Sequence, residues 1–230
     1  MKELMENSLY IGFLISLASY AMGVWLRKKT GLPFINPLLV SILLVIGFLL
    51  LTGVSYNSYA AGSEIISYLL TPATICLAVP LYQQFNLLKK NWKAVVAGLV
   101  SGVLSSLVCI LLMALLFKFD HNTYVTFLPK SITTAIGIGV AEEYGGYVSL
   151  AVIVIVITGV IGNVLAEAVL KLFRIEEPIA KGIAIGSSSH AVGTTKAMEL
   201  GQIEGAMSSL SIVVCGLLTV ILAPLFAPLI

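Results

Sequence analysis

Two polar clusters interrupt an otherwise apolar chain. Lys130, Ser131, Thr133 and Thr134, followed by Glu142 and Glu143, form the first; Ser187, Ser188, Ser189, His190, Thr194, Thr195 and Lys196, followed by Glu199, form the second. Hydroxyls at this density donate hydrogen bonds to carboxylate oxygens without the desolvation cost of a second full charge. A carboxylate also needs a compensating cation, and Lys130 and Lys196 are the candidates, although either could instead extend to an interface. His190 carries the one side chain of the set that changes charge near neutral pH, so it could couple anion movement to a proton. Glu143 and Glu199 are further proton-coupling candidates, or else partners for Lys130 and Lys196. Glycines accompany both clusters. Gly137 and Gly139 in the first and Gly186 and Gly193 in the second allow sharp chain reversals that free backbone N–H groups for an anion. They also suit close helix packing.

These clusters must be positioned by membrane-spanning helices. Of 230 residues, 59% are hydrophobic and 10% charged, with mean hydropathy +1.05; a soluble domain carries about 25% charged residues. In a bilayer each segment must satisfy its own backbone hydrogen bonds, and the apolar runs exceed the ~9 to 11 residues of a barrel strand. The expected fold is an all-α integral membrane protein. Six full spans are read at Leu9 to Leu26, Pro37 to Val54, Ile65 to Phe85, Ala94 to Phe117, Tyr147 to Phe173 and Ala206 to Ile230. Thr71, Pro72 and Pro80 break the third. The two polar stretches, Thr123 to Gly146 and Gly182 to Gly205, read as broken or re-entrant hairpins.

Charge counting favours hairpins that leave on the side they enter. Arg27, Lys28, Lys29, Lys89, Lys90, Lys93, Lys171, Arg174 and Lys181 then all face the cytoplasm, with Lys2, Lys118 and Lys130 outside. Both termini would face outward, without a cleaved signal peptide. Placing 134–146 over 190–202 matches Ala135 with Ala191, Gly137 with Gly193, Ala141 with Ala197, Glu143 with Glu199 and Gly145 with Gly201, at a constant offset. One span separates the copies, so they enter from opposite sides. Inverted repeats with broken helices meeting near the midplane are the construction of many secondary transporters. One membrane domain is expected: helices with a broken third span over residues 1–120, then inverted hairpin-plus-helix repeats over 121–230.

Other features carry less chemistry. A formal net charge of +2 gives no reason to expect nucleic acid. Cys76, Cys109 and Cys215 are isolated in apolar segments and suit neither a disulfide framework nor a zinc site. No cofactor motif is apparent. Ser187 to Ser189 beside His190 would need an orienting group and an oxyanion site to act as a hydrolase, so the chain is not read as an enzyme. Asn163 is read as packing glue or a bond to a hairpin, and Glu167 as an ion-pair partner of Lys171 one turn on.

The stretches PKSITTAIGIGVAEEYGG (Pro129 to Gly146) and KGIAIGSSSHAVGTTKAMELGQIEGAMSSL (Lys181 to Leu210), with NPLL at Asn36 and TPAT at Thr71, resemble the LrgB/CidB membrane protein family over nearly the whole chain. That resemblance implies one of two functions. The first expectation is carriage of a small monocarboxylate or hydroxycarboxylate such as pyruvate, glycolate or glycerate across the cytoplasmic membrane. The alternative is an antiholin-like or holin-like regulator of murein hydrolase export and autolysis. It further implies a small LrgA/CidA-type membrane partner, and a homo-oligomer is also expected. A pore former should show an amphipathic stripe along whole helices, whereas polarity here is confined to two short stretches.

Overall fold

The computed structural model describes residues 10–31 and 35–230. Every regular element among them is helical. The chain divides into two compact units, residues 1–76 and 77–230.

In the first unit, α1 (Ile11–Thr30) and α2 (Pro37–Thr52) have strong local stop and start signals. Gly31 closes α1 and Gly53 closes α2, each in the left-handed region that glycine adopts without strain. Asn36 caps α2 by accepting from the Leu38 and Leu39 N–H groups at 2.8 and 3.2 Å, with Pro37 pre-set for the first turn. The helices approach closely because Gly23 lies on the Pro37 backbone. Three short helices follow, α3 (Tyr56–Gly62), α4 (Glu64–Tyr68) and α5 (Leu70–Cys76).

The second unit starts with α6 (Ala78–Gln83) and α7 (Phe85–Phe117), which carries non-helical backbone at Asn91. It continues through α8 (His121–Phe127), α9 (Thr134–Glu143), α10 (Val148–Leu172), α11 (Pro178–Leu200) and α12 (Gln202–Phe226) to a 3-10 turn at Ala227–Leu229. Its core follows a helical stripe on α7, where Val95, Leu99, Val103, Leu107, Ile110 and Ala114 recur every three or four residues. Tyr124, Val125, Ile183 and Met207 pack with this stripe.

Three of the six expected spans are single helices long and apolar enough to cross a bilayer: Phe85–Phe117, Val148–Leu172 and Gln202–Leu229. No more than 33% of any of their apolar windows is buried inside the protein. The remainder needs an apolar solvent, so this is a membrane protein. Pro37–Thr52 is apolar but only 16 residues long, and Ile11–Thr30 falls outside the apolar set. The span expected at Ile65 to Phe85 is not one helix. It is cut near Leu69, at Leu77 and at Gln84, in a stretch whose two prolines cannot continue a helical hydrogen-bond ladder.

α11 reverses on itself. Residues eight apart on a straight helix are separated by about 12 Å, yet a Cβ at Gly193 would lie 3.2 Å from the Ile185 carbonyl oxygen and 2.5 Å from the Ser189 Cβ. The turn is at His190, with φ 43 and ψ -139. The outgoing arm, 178–189, runs alongside α12 in the same direction: Gly182 lies against Glu204 and Met207, and Gly186 against Ser208 and Ser211. The return arm, 191–200, runs the other way, with Thr194 bonded to Ser208 at 2.8 Å and Met198 beside Gly205.

α8 and α9 make another hairpin, the first in chain order, around the turn at 128–133. Pro129 lies beside Gly137 and Thr126 beside Gly146, so the arms are antiparallel. The two hairpins enter from opposite ends of α12. The base of the first reaches the C-terminal end, where the Tyr124 hydroxyl donates to the Phe226 carbonyl at 3.0 Å. The base of the second lies by Glu204. α10 runs parallel to the return arm of α11, as Gly159 against Val192 and Glu167 against Lys196 show, and therefore antiparallel to α12.

Candidate functional site

The hairpin tips meet half-way along the long helices. A Cβ at Gly162, near the middle of α10, would fall on the Ser189 side chain, and one at Gly159 on the His190 ring. These two glycines form the notch that admits the second tip. Gly102 near the middle of α7 faces Ser187 from the other side. The first tip arrives at the same level because Gly137 packs on Ile155, one turn before Gly159. Ser131 lies 3.3 Å from Ser106 of α7 and shares a narrow cleft with Ser187, Cys215 and Thr219.

Each tip residue has a distinct setting. The buried His190 ring donates Nε2–H to the Ile155 carbonyl at 3.0 Å, since a carbonyl can only accept. It therefore bonds to backbone and not to a serine hydroxyl. The Ser188 and Ser189 hydroxyls lie 3.0 Å apart, and Ser188 also donates to the Ala184 carbonyl. Thr194 donates to the His190 carbonyl at 2.9 Å, stiffening the first turn of the return arm. Asn163 of α10 donates to the Val192 carbonyl at 2.7 Å and to Thr195 at 3.0 Å. The sequence alone left Asn163 between packing glue and this bond. Thr133 stands at the N-cap position of the other return arm without a side-chain capping bond, and Thr134 begins the arm; both are partly buried.

The two lysines differ. Lys196 sits between Glu167 and Glu199, at 2.5 and 3.0 Å, in a trio that ties the return arm to α10. Glu167 thus reaches across to the hairpin, where one-turn spacing suggested Lys171. Lys130 is hydrogen-bonded only to Ser131, at 2.8 Å, and among the described residues no carboxylate pairs with it. Counted by topology on the outer side, it lies instead at the tip of the first hairpin. Glu142 and Glu143 are exposed at that hairpin's base, away from the tip.

The glycines expected to make the reversals do not make them. Gly137, Gly139, Gly186 and Gly193 all lie within helical arms. The chain turns at Pro129–Ser131 and at His190, and Gly137, Gly186 and Gly193 instead allow close packing.

Two cavities flank the outgoing arm of α11. One, of 490 Å³, lies towards α7 and is lined by Asn91, Ser101, Ser105, Glu177 and Ser187 with small and aliphatic neighbours; among the described residues no lysine or arginine lines it. The other, of 410 Å³, lies towards α10 and is lined by Lys130, Thr158, Ser188 and Ser189 with apolar neighbours; among the described residues no carboxylate lines it. Metabolite-sized ligands occupy pockets of about 300 to 1,000 Å³. By charge, the second cavity suits an anion. The signal that separated Lys130 from Lys196 lay in residues distant in sequence, since Glu167 had to be brought to Lys196 by the fold.

The LrgB-like family profile matches residues 16–229. Antiholin-like protein LrgB of Bacillus subtilis (strain 168) is 38% identical over 229 residues, covering 98% of this chain and 99% of that protein. No solved structure matches.

Proposed function

We propose that this chain, which belongs to the LrgB-like family, carries a small monocarboxylate or hydroxycarboxylate across the cytoplasmic membrane through the cavity where the hairpin tips meet. The observation that carries this reading is Lys130. A charged side chain at the centre of a membrane helix costs about 2.5 to 3.5 kcal/mol on insertion scales, and here no carboxylate of the described chain offsets it. A bound carboxylate would supply that charge. Ser188, Ser189 and Thr158 line the same cavity and offer hydroxyl donors to its oxygens.

The hairpin-plus-helix units 121–172 and 178–226 are read as an inverted repeat. Support comes from their opposite directions and from matched positions. Gly137 and Gly193 each face the residue eight earlier, Pro129 at the start of the turn and Ile185 on the outgoing arm, and Ala141 and Ala197 are both fully buried. Such repeats let the site open alternately to either side. Of the proton-coupling candidates, His190 is at the tip, Glu199 is engaged with Lys196 and Glu143 lies at a hairpin base, so His190 is the group proposed to titrate with transport. Ser131, Ser187, Thr133, Thr134, Gly193, Thr194 and Thr195 are proposed to shape or line the path.

The name of the similar Bacillus subtilis protein favours the other reading, an antiholin-like membrane protein, and the comparisons support it more directly than they support carriage. In that reading the chain regulates murein hydrolase export with an LrgA/CidA-type partner, as a homo-oligomer. Reconstitution separates the two. Saturable counterflow of labelled pyruvate, glycolate or glycerate in proteoliposomes is expected of a carrier. Leakage of an entrapped neutral dye without saturable exchange is expected of a pore-related activity and would remove the carrier reading.

A further inference from the structure

The cavity on the α10 side has polarity at one end only. Gly162 lies on Ser189, and the first hairpin tip is carried to this level by the packing of Gly137 on Ile155. Lys130, Thr158, Ser188 and Ser189 are therefore gathered at the 158–162 end. From there towards the C-terminal end of α10 the lining is Leu165, Ala166, Val169 and Leu170, faced by Ile185. Residues 162 to 170 span about 12 Å of helix. Along that length no lining side chain among the described residues offers a hydrogen bond or a charge; the next cavity, past Leu170 and Ile175, is lined by Lys171, Arg174 and Lys181.

A two- or three-carbon acid anchored at Lys130 leaves this apolar wall unused. A dicarboxylate as short as succinate would place its second charge against Leu165 and Ala166, short of Lys171, Arg174 and Lys181, an arrangement that is costly in low dielectric. Hydroxyls beside the lysine add hydrogen bonds to one carboxylate and, with it, to a 2-oxo or 2-hydroxy group.

We propose that the site is specific for amphiphilic monoanions: carboxylates with a single charge and an unbranched or branched apolar tail of several carbons, the carboxylate at Lys130 and the tail along α10. This rests on the reading that the cavity binds carboxylates. It adds that affinity grows with tail length and that a second charge excludes the ligand.

The test is calorimetric binding of acetate, butyrate, hexanoate, octanoate, 4-methyl-2-oxopentanoate and succinate to the full chain in lipid nanodiscs, corrected with empty discs, alongside competition by the same acids against labelled pyruvate counterflow. Affinity should rise by about three- to fourfold per added methylene until the wall is filled, with succinate not binding. Val169→Thr and Ala166→Leu, which make the wall more polar or shorten it, should each lower the ratio of octanoate to acetate affinity. A flat series, equal binding of succinate, or an unchanged ratio in both variants overturns the proposal. Pyruvate counterflow with a flat series leaves carriage standing and removes only the tail specificity. A steep binding series without any counterflow keeps the specificity and removes carriage. No binding by any acid removes both.

Discussion

Gly137 and Gly193 hold the same place in two different hairpins: each sits on a return arm and faces the residue eight positions earlier, Pro129 in one and Ile185 in the other. Their surroundings are not equally forgiving. A Cβ at 193 meets the Ser189 Cβ and the Ile185 carbonyl, both fixed by backbone, whereas at 137 the tight contact is the mobile end of the Ile155 side chain. Gly193→Ala should therefore destabilise by about 1 to 3 kcal/mol, in the range of overpacked cores, and Gly137→Ala by less. Thermal unfolding of the two purified variants checks the order; equal losses would contradict it.

The lysines should respond in opposite senses. Replacing Lys130 with Met removes a charge that no carboxylate of the described chain balances, so the ligand-free protein should become more stable, on the order of 1 kcal/mol, while carboxylate binding is lost. Lys196→Met leaves Glu167 and Glu199 facing each other. These carboxylates are nearly half exposed and therefore screened, so a loss of about 1 kcal/mol is expected. Melting temperatures with and without a saturating carboxylate distinguish the two cases.

His190 combines a backbone role with a side-chain role, and two substitutions separate them. A non-glycine residue at its positive φ costs roughly 1 to 3 kcal/mol. His190→Gly relieves that strain and gives up the bond to Ile155; His190→Ala gives up the bond and keeps the strain. The alanine variant should melt below the glycine variant. The reverse order would mean that the reversal is not strained at this position.

A pH prediction concerns the same ring. Lys130 of the first hairpin lines the cavity together with Ser189, the ring's neighbour in sequence; from α10 the ring meets the Ile155 carbonyl and Gly159, and from α12 Thr194, one turn on, meets Ser208, none of them titratable. A carboxylate bound at Lys130 and Ser189, near the ring, attracts the charged form of the imidazole, so uptake should rise as external pH falls. His190→Gln keeps a donor for the Ile155 carbonyl and should flatten that profile at matched expression. A profile that keeps its slope would assign the ring to structure alone.

Topology gives the remaining prediction. With nine basic residues assigned to the cytoplasmic face, a cysteine placed at position 174 should react with impermeant reagents only in inverted vesicles. Labelling in intact cells would require the second hairpin to enter from the other side.

The helical class, three of the six expected spans and the two hairpins were legible in the sequence, because apolar run length and clustered hydroxyls are local signals. Asn36-Pro37 and Gly53 mark the ends of α2 equally plainly. The positions of the reversals were not legible. Glycine spacing pointed into the arms, whereas the second turn falls on His190, whose strained backbone is held by contacts with α10, far along the chain. The division of labour between the lysines was hidden for the same reason. The third span failed as a single helix because composition could not say how two prolines would partition the 21 residues from Ile65 to Phe85.

The second hairpin is gripped unequally on its two sides. Towards α10 it is keyed in place by a ring seated in the Gly159 notch, by the amide of Asn163 and by the Lys196 ion trio. Towards α7 it rests on Gly98 and Gly102, whose flat surface has no protrusion to interlock with Ile183 or Ser187. Mechanically, one side is a spline and the other a plain bearing. A rigid-body displacement that leaves the hairpin's bonds intact would shear along the α7 face and take with the hairpin both α10 and, through the Thr194–Ser208 bond, α12 as a single carriage.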